Sequence, residues 1–482
     1  MSYRDLDETS NRVANVLSAM GIRRGDRVAL YVPNIPAFPI AYLGILKLGA
    51  VAVSINSIFK AQEVAFILND SQSRVLFTTA ELDEALGELD CPALERRLRV
   101  DRGLHRLIDP ASSEFRTVEM EANDPALLLY TSGTTGFPKG ATLSHGNVVS
   151  NTWSVVHHAG YRPEDRLLLF LPLFHVFGQN FIMNACFLAG STLVLHQRFV
   201  PDQVLESITR DQVTMFFGVP SVYIALLNLL DSPPPGSGEG WVGALSSIRY
   251  WFSAAATMPQ EISRRWTERF GRPICEGYGL TETSPFAAYN HDFRHKFGSV
   301  GTPVENFEIR IVDEDDQEVP TGTLGEIAIK GPGVMLGYWN REDDTRAAIR
   351  NGWFHSGDIG SMDDEGYVFI VDRVKDMINR SGFKVWPAEV EQLLYTHPAV
   401  KEVAVYAVPD AESGEAVAAA VVLRDGQSVT SAEIIDYCRS RLAVYKAPSR
   451  VDFVSELPKN PTGKILKRVL RERAAQQPAA SG

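Results

Sequence analysis

The stretch ALLLYTSGTTGFPKG, residues 126–140, decides how the rest of the chain is read. An apolar run of strand length delivers the backbone into a loop with three glycines, four hydroxyl side chains and Lys139. Glycine lets a backbone approach an anion closely, while amide N–H groups, hydroxyls and an ammonium supply donors and positive charge. A Walker A loop would need GxxxxGK[ST]; here Gly140 follows the lysine, so this is a phosphate loop of another kind.

On the amino-terminal side of this loop, helix and strand alternate. Leu6, Val13, Val16, Leu17 and Met20 share one helical face over residues 6–20, with Gly21 as a C-cap. RVALYV (27–32), VAVS (51–54) and VLFTT (75–79) read as strands, with helices near 36–48 and 61–69 between them. Such repetition predicts a parallel, helix-covered sheet, and a further α/β region spans about 125–290. SPPPGSGEG (232–240) reads as an exposed, mobile loop. Short β-rich runs separated by Gly, Asp and Pro follow from about 297 to 371. After Asp372 come two strands (EVAVYAVPD and AVAAAVVLRDG), a helix capped by Thr430 and Glu433, a third strand and a closing helix. The expected fold class is α/β: a large amino-terminal domain of helix-covered sheets with a β-rich subdomain, and a small carboxy-terminal α+β domain.

Bulk composition bounds the function. The 482 residues are 45% hydrophobic and 22% charged, with 47 Lys plus Arg against 59 Asp plus Glu, a net charge of −12. That balance argues against nucleic acid or an anionic membrane as the main partner. Cys91, Cys186, Cys275 and Cys438 lie far apart in the chain and form no zinc spacing, which fits a reducing, cytoplasmic setting. The polar start MSYRDLDETSNRV is no signal peptide, and PIAYLGILKLGAVAVSI, broken by Lys47 and two glycines, reads as a buried helix and strand with no membrane span.

YTSGTTGFPKG resembles the phosphate-binding signature of the adenylate-forming superfamily, which includes acyl-CoA synthetases, luciferases and peptide-synthetase adenylation domains. LPLFHVFG (171–178), GYGLTET (277–283), GWFHSGDIG (352–360) with DRVKDMINRSGFKVWPAEVE (372–391), and PKNPTGKILKR (458–468) match in the family's order. The resemblance implies an ATP-dependent ligase that adenylates a carboxylic acid and transfers the acyl group to coenzyme A, with an acyl carrier protein as the alternative acceptor.

It also assigns residues. Thr131, Ser132, Gly133, Thr134, Thr135, Gly136 and Lys139 would hold the β- and γ-phosphates of ATP. Tyr278 would stack on adenine, Thr281 would touch the α-phosphate, and Asp358 with Arg373 would take the ribose hydroxyls. Glu282 would hold Mg²⁺, since a carboxylate among phosphates needs a cation between them. Lys464 would bridge the carboxylate and the α-phosphate, and His175 would stand at the mouth of the acyl pocket. The resemblance divides the chain into 1–371, a hinge over 372–375 centred on Lys375, and a mobile 376–482, whose Ser381, Gly382 and Phe383 would line the thiol channel. Family members carry a further segment ahead of the position where this chain begins, so an amino-terminally short variant or an internal start is expected.

The substrate pocket is expected around Phe174, Phe177, Phe181, Trp251 and the small Gly301. Residues 171–183 contain no acid to pair an α-ammonium, which counts against amino acids, because a buried unpaired ammonium is costly. The apolar surroundings favour a fatty acid, with an aryl acid as the alternative, and the stretch after Thr283 most resembles bacterial medium- and long-chain fatty-acid–CoA ligases.

Overall fold

A computed structural model describes residues 1–101, 103–131, 138–232, 238–373, 376–410 and 412–476. The first of its sheets has seven strands. Arg27–Leu30, Val51–Ser54, Val75–Thr78, Arg96–Arg99 and Pro125–Thr131 run parallel within it. Val51–Ser54 and Val75–Thr78 are buried at every position, as expected of strands covered on both faces. The apolar stretch of the early chain resolves into the helix Ala37–Lys47 and the strand Val51–Ser54, turned by Gly49 at φ +73°. Pro125–Thr131 then folds back on Lys139–Ser144 as an antiparallel hairpin.

A second seven-stranded sheet takes Arg166–Leu169, Thr192–Leu195, Met215–Gly218, Tyr250–Ser253 and Cys275–Tyr278 in parallel. Ala288–Asn290 and Thr302–Pro303 extend it antiparallel. Between the sheets lies a π-helical segment, Phe177–Asn184. Gln179 donates from Nε2 to Ser54 Oγ of the first sheet (3.1 Å), while Phe181 stacks on Phe252 of the second at 4.4 Å between ring centroids. Wider π turns of this kind concentrate at functional sites.

Glu308–Val312, Gly325–Lys330, Ile349–Arg350, Trp353–Met362 and Val368–Arg373 form a third, antiparallel sheet. The smaller carboxy-terminal α/β body is built on Ile378–Arg380, Phe383–Val385, Val400–Asp410, Gly414–Leu423 and Arg450–Phe453, with helices Pro387–Tyr395, Ser431–Arg439 and Lys467–Gln476. The capping box forms as read: Glu433 N donates to Thr430 Oγ1 at 3.2 Å, and Thr430 N to Glu433 Oε2 at 2.7 Å. Together the two α/β bodies and the antiparallel sheet have the expected fold class.

One expectation fails. The helix Gly238–Ser246 begins inside the supposed loop 232–240, of which residues 233–237 lie outside the described residues. It packs against Pro201–Arg210 and Pro220–Asp231. The cysteines are free; Cys186, Cys275 and Cys438 are buried, and burial pushes their thiols up to about 12, 12 and 11. Among the described residues no helix is long and apolar enough to cross a membrane.

Candidate active site

Thr131 and Lys139 face each other across the hairpin Pro125–Thr131/Lys139–Ser144. Ser132, Gly133, Thr134, Thr135 and Gly136 of the phosphate loop lie outside the described residues. The Lys139 ammonium pairs with Asp344 and stands 5.3 Å from the centre of the Tyr338 ring.

Beyond the hairpin, Tyr278 closes the strand Cys275–Tyr278. Its hydroxyl donates to Asp358 Oδ2 at 2.7 Å, and Arg373 Nε meets Asp358 Oδ1 at 3.0 Å. Asp358 and Arg373 are register partners on neighbouring strands, which fixes their spacing through the backbone. The short turn Thr281–Thr283 follows immediately and buries Glu282, leaving Thr281 partly exposed. Glu282 Oε1 accepts from the Tyr338 hydroxyl at 2.9 Å. Burial raises the Glu282 pKa, opposed by that hydrogen bond and by the charge of Arg373.

The residues here fit a magnesium site of the kind that borrows substrate oxygens. Glu282 offers one carboxylate, and among the described residues no group of three or more metal-binding side chains occurs. An ion at Glu282 would complete its shell with phosphate oxygens and water.

His175 of the large body and Lys464 of the small one come together. His175 Nδ1 accepts from the backbone N–H of Phe177 at 3.2 Å, which leaves Nε2 as the protonated nitrogen of the neutral ring. Burial and then the positive charge of Lys464 lower its pKa to about 4. Lys464 is presented by a turn organised on Asn460, whose Oδ1 accepts from Lys464 N at 2.8 Å and from Thr462 Oγ1 at 2.7 Å. The turn docks on the large body where Ser221 Oγ donates to Gly463 O at 3.2 Å. Gly463 sits at φ +83°, and a Cβ there would stand 2.7 Å from Val219 Cγ2 and 2.8 Å from Ser221 Oγ, so glycine is required for this approach.

The acyl-pocket expectations divide. Phe177 and Phe181 form one aromatic wall with Phe252 and Phe286, while Phe174 is partly buried. Trp251 stands on the opposite face of its strand, packed on Trp266 at 5.0 Å and on Phe270 at 6.1 Å. Successive strand residues point to opposite sides, so it is Phe252 that faces Phe181. Gly301 does not serve as an open wall position either: at φ +89°, a Cβ would lie 1.9 Å from the Tyr289 carbonyl carbon. Ser381, Gly382 and Phe383 are exposed, and Phe383 stacks on Tyr445 at 4.7 Å. Lys375, the expected hinge, lies outside the described residues.

Three residues in or beside the elements of the site went unread in the sequence. Tyr338 and Ser221 carry no local signal; only the fold brings them to Glu282 and Gly463. Glu276, a carboxyl within the apolar strand Cys275–Tyr278, is the exception, because a charge in such a run is itself a signal. It is 6% exposed, and burial pushes its pKa up to about 8.

Residues 1–339 match the model of the AMP-binding enzyme family, and 389–464 that of the AMP-binding enzyme C-terminal domain. The chain is 38% identical to a feruloyl-CoA synthase of Amycolatopsis sp over 476 residues, covering 98% of this chain and 94% of the relative. It is 37% identical to a long-chain-fatty-acid–CoA ligase of Escherichia coli O6:H1 over 519 residues, covering 98% and 90%. The anthranilate CoA ligase AuaEII, solved in complex with anthranoyl-AMP, superposes with a TM-score of 0.91 at 32% identity, covering 99% of this chain and 93% of that one.

Proposed function

Since the chain belongs to the AMP-binding enzyme family, we propose that it adenylates an apolar carboxylic acid, in the first place a fatty acid, and transfers the acyl group to coenzyme A. Its activity as an ATP-dependent, AMP-forming acid–thiol ligase follows from that membership and from the acyl-adenylate held by a solved relative. The observation that carries the mechanism is the arrival of Lys464 beside His175, bringing a cation from the small body to the apolar wall of the large one.

In the first half-reaction a carboxylate oxygen attacks the α-phosphorus of ATP, and pyrophosphate leaves with the electrons of the broken P–O bond. Attacker and target are both anionic. Lys464 offsets that repulsion, and His175, neutral above about pH 5 with its pKa near 4, offers Nε2–H to the acid without adding charge. Lys139 and the loop 131–136 hold the outer phosphates, Thr281 the α-phosphate, Tyr278 the adenine, and Asp358 with Arg373 the ribose. Glu282 would hold a magnesium ion, which when bound would supply the neutralisation that lets a carboxylate stand among phosphates. In the second half-reaction the thiolate sulfur attacks the acyl carbon, and AMP leaves. Rotation of 376–482 about Lys375, within the hinge 372–375, exchanges the Lys464 turn for the Ser381–Gly382–Phe383 turn as the thiol enters.

The wall of Phe177, Phe181, Phe252 and Phe286 supports an apolar acid. Its density of rings favours a second reading, an aryl acid. The test is acid-dependent ATP–pyrophosphate exchange across straight-chain acids of rising length and across benzoate- and cinnamate-type acids, followed by coenzyme A or an acyl carrier protein. A gain of roughly tenfold for every two methylenes, at about 0.8 kcal/mol each, is the fatty-acid signature. Preference for the aryl set replaces it with the second reading, and thioester formed only on the carrier protein replaces coenzyme A as acceptor. No exchange with any acid overturns the function.

A further inference from the structure

Lys139 is committed to a carboxylate that the assigned roles leave unused. The lysine opens the strand Lys139–Ser144 with its side chain 13% exposed. Its ammonium pairs with Oδ1 of Asp344, from the helix Glu342–Ala348, whose other oxygen lies 3.5 Å from Arg341. The helix is tied to the edge of the first sheet: Tyr338 N donates to Thr345 Oγ1 at 2.9 Å, and Tyr338 pairs with Ala141 in the antiparallel ladder. Tyr338 also lies under the ammonium and donates to Glu282. Asp344 therefore stands at the end of a contact chain, Asp344–Lys139–Tyr338–Glu282, that reaches from the phosphate lysine to the magnesium carboxylate. The Lys139 hydrogen bond holds the Asp344 carboxyl below its ordinary range, so it is an anion at neutral pH.

A fixed anion on a phosphate-binding ammonium competes with the phosphate it is meant to hold. The triphosphate brings more charge and more oxygens than a single carboxylate. Pyrophosphate, once cut from the nucleotide, must depart for turnover, and the carboxylate again becomes a competitor. We propose that Asp344 is a displaceable counter-ion of Lys139, which yields the ammonium to the triphosphate and reclaims it as pyrophosphate leaves. This rests on the reading of Lys139 as a phosphate ligand. Asp344 is thus a positioning residue that tunes affinity for both the nucleotide and its leaving group, at the expense of some ground-state binding.

The test uses the full chain and the variants Asp344→Asn, Asp344→Glu and Lys139→Ala. ATP binding is measured by calorimetry with Mg²⁺, and pyrophosphate by product inhibition of thioester formation. The pair is partly buried, 13% and 30% exposed at its two side chains, so Asp344→Asn should tighten both ATP and pyrophosphate about fivefold. KM for ATP should fall more than kcat changes, and Asp344→Glu, which keeps the charge, should stay near wild type. Lys139→Ala should weaken both ligands. If Lys139→Ala weakens them while Asp344→Asn leaves them unchanged or weaker at an unaltered melting temperature, the counter-ion proposal is wrong and the phosphate reading stands. If Lys139→Ala leaves both affinities as they were, the phosphate reading fails and the proposal falls with it.

Discussion

His175 and Lys464 make a pair in which each side chain reports on the other. Burial is the larger cause of the low His175 pKa and the Lys464 charge the smaller. In Lys464→Ala the His175 titration, followed by NMR, should therefore rise from about 4 while staying below 6.5. On the proposed role of the lysine in adenylation alone, the same variant should lose adenylation about a hundredfold or more and keep thioester formation from supplied acyl-adenylate. Equal loss in both half-reactions would contradict the assignment. Glu276 provides a second residue-scale test. Its folded-state pKa of about 8 lies above its ordinary 4.5, so the folded chain holds this proton more tightly than the unfolded one. The stabilisation is complete below pH 4.5 and disappears as pH rises to about 8. Glu276→Gln should remove that slope and leave the protein more stable at pH 8, by on the order of a few kcal/mol, as read from urea denaturation at several pH values. An unchanged slope would show that Glu276 is ionised in the fold.

At the scale of elements, strand Tyr250–Ser253 separates packing from specificity. Phe252→Leu opens the wall that faces Phe181 and should shift acid preference, with kcat/KM across the acid panel as the measure. Trp251→Phe, on the other face, should cost about 1–3 kcal/mol of stability and leave that preference in place. The reverse pattern would mean that the acid binds on the Trp266 side. The sequence YWFS shows a strand but not which of its faces meets which neighbours, and Trp251, expected beside Phe181, packs on Trp266 while Phe252 stacks on Phe181. Gly301 was misread similarly: a small residue announces room, whereas its φ of +89° and the adjacent Tyr289 backbone show that it is needed for close approach. The fully buried strands and the Thr430–Glu433 cap are legible because each is written in a short local pattern. The helix Gly238–Ser246 is not: glycine at 238, 240 and 243 disfavours helix, and packing on two neighbouring helices overrides that preference.

At the scale of the molecule, the small body is held in its present orientation by a few polar contacts. Gln392 acts as a two-point clip: Oε1 accepts from Gln260 N at 2.9 Å, and Nε2 donates to Met258 O at 3.3 Å. Arg424 adds a bond to Asn228 Oδ1 at 3.2 Å. The two Gln392 bonds are worth about 1 kcal/mol each and the charged Arg424 bond somewhat more, enough to bias a two-state equilibrium without locking it. Gln392→Ala should slow adenylation about fivefold and leave thioester formation from supplied adenylate equal or faster, measured as separate half-reactions. Slowing of both alike would assign Gln392 to folding alone.

The free cysteines acquire a meaning from this chemistry. An acyl-adenylate is a mixed anhydride, and any ionised sulfur in reach would be acylated in place of the incoming thiol. Cys186, Cys275 and Cys438 are buried, and burial pushes their thiols up to about 12, 12 and 11, so at neutral pH they remain protonated and shielded. Cys91 is partly buried, and its thiol too is raised by burial. The catalyst is thereby insulated from its own electrophile, and self-modification during an idle cycle, when acid and ATP are plentiful but the acceptor is scarce, is suppressed by the packing of the fold.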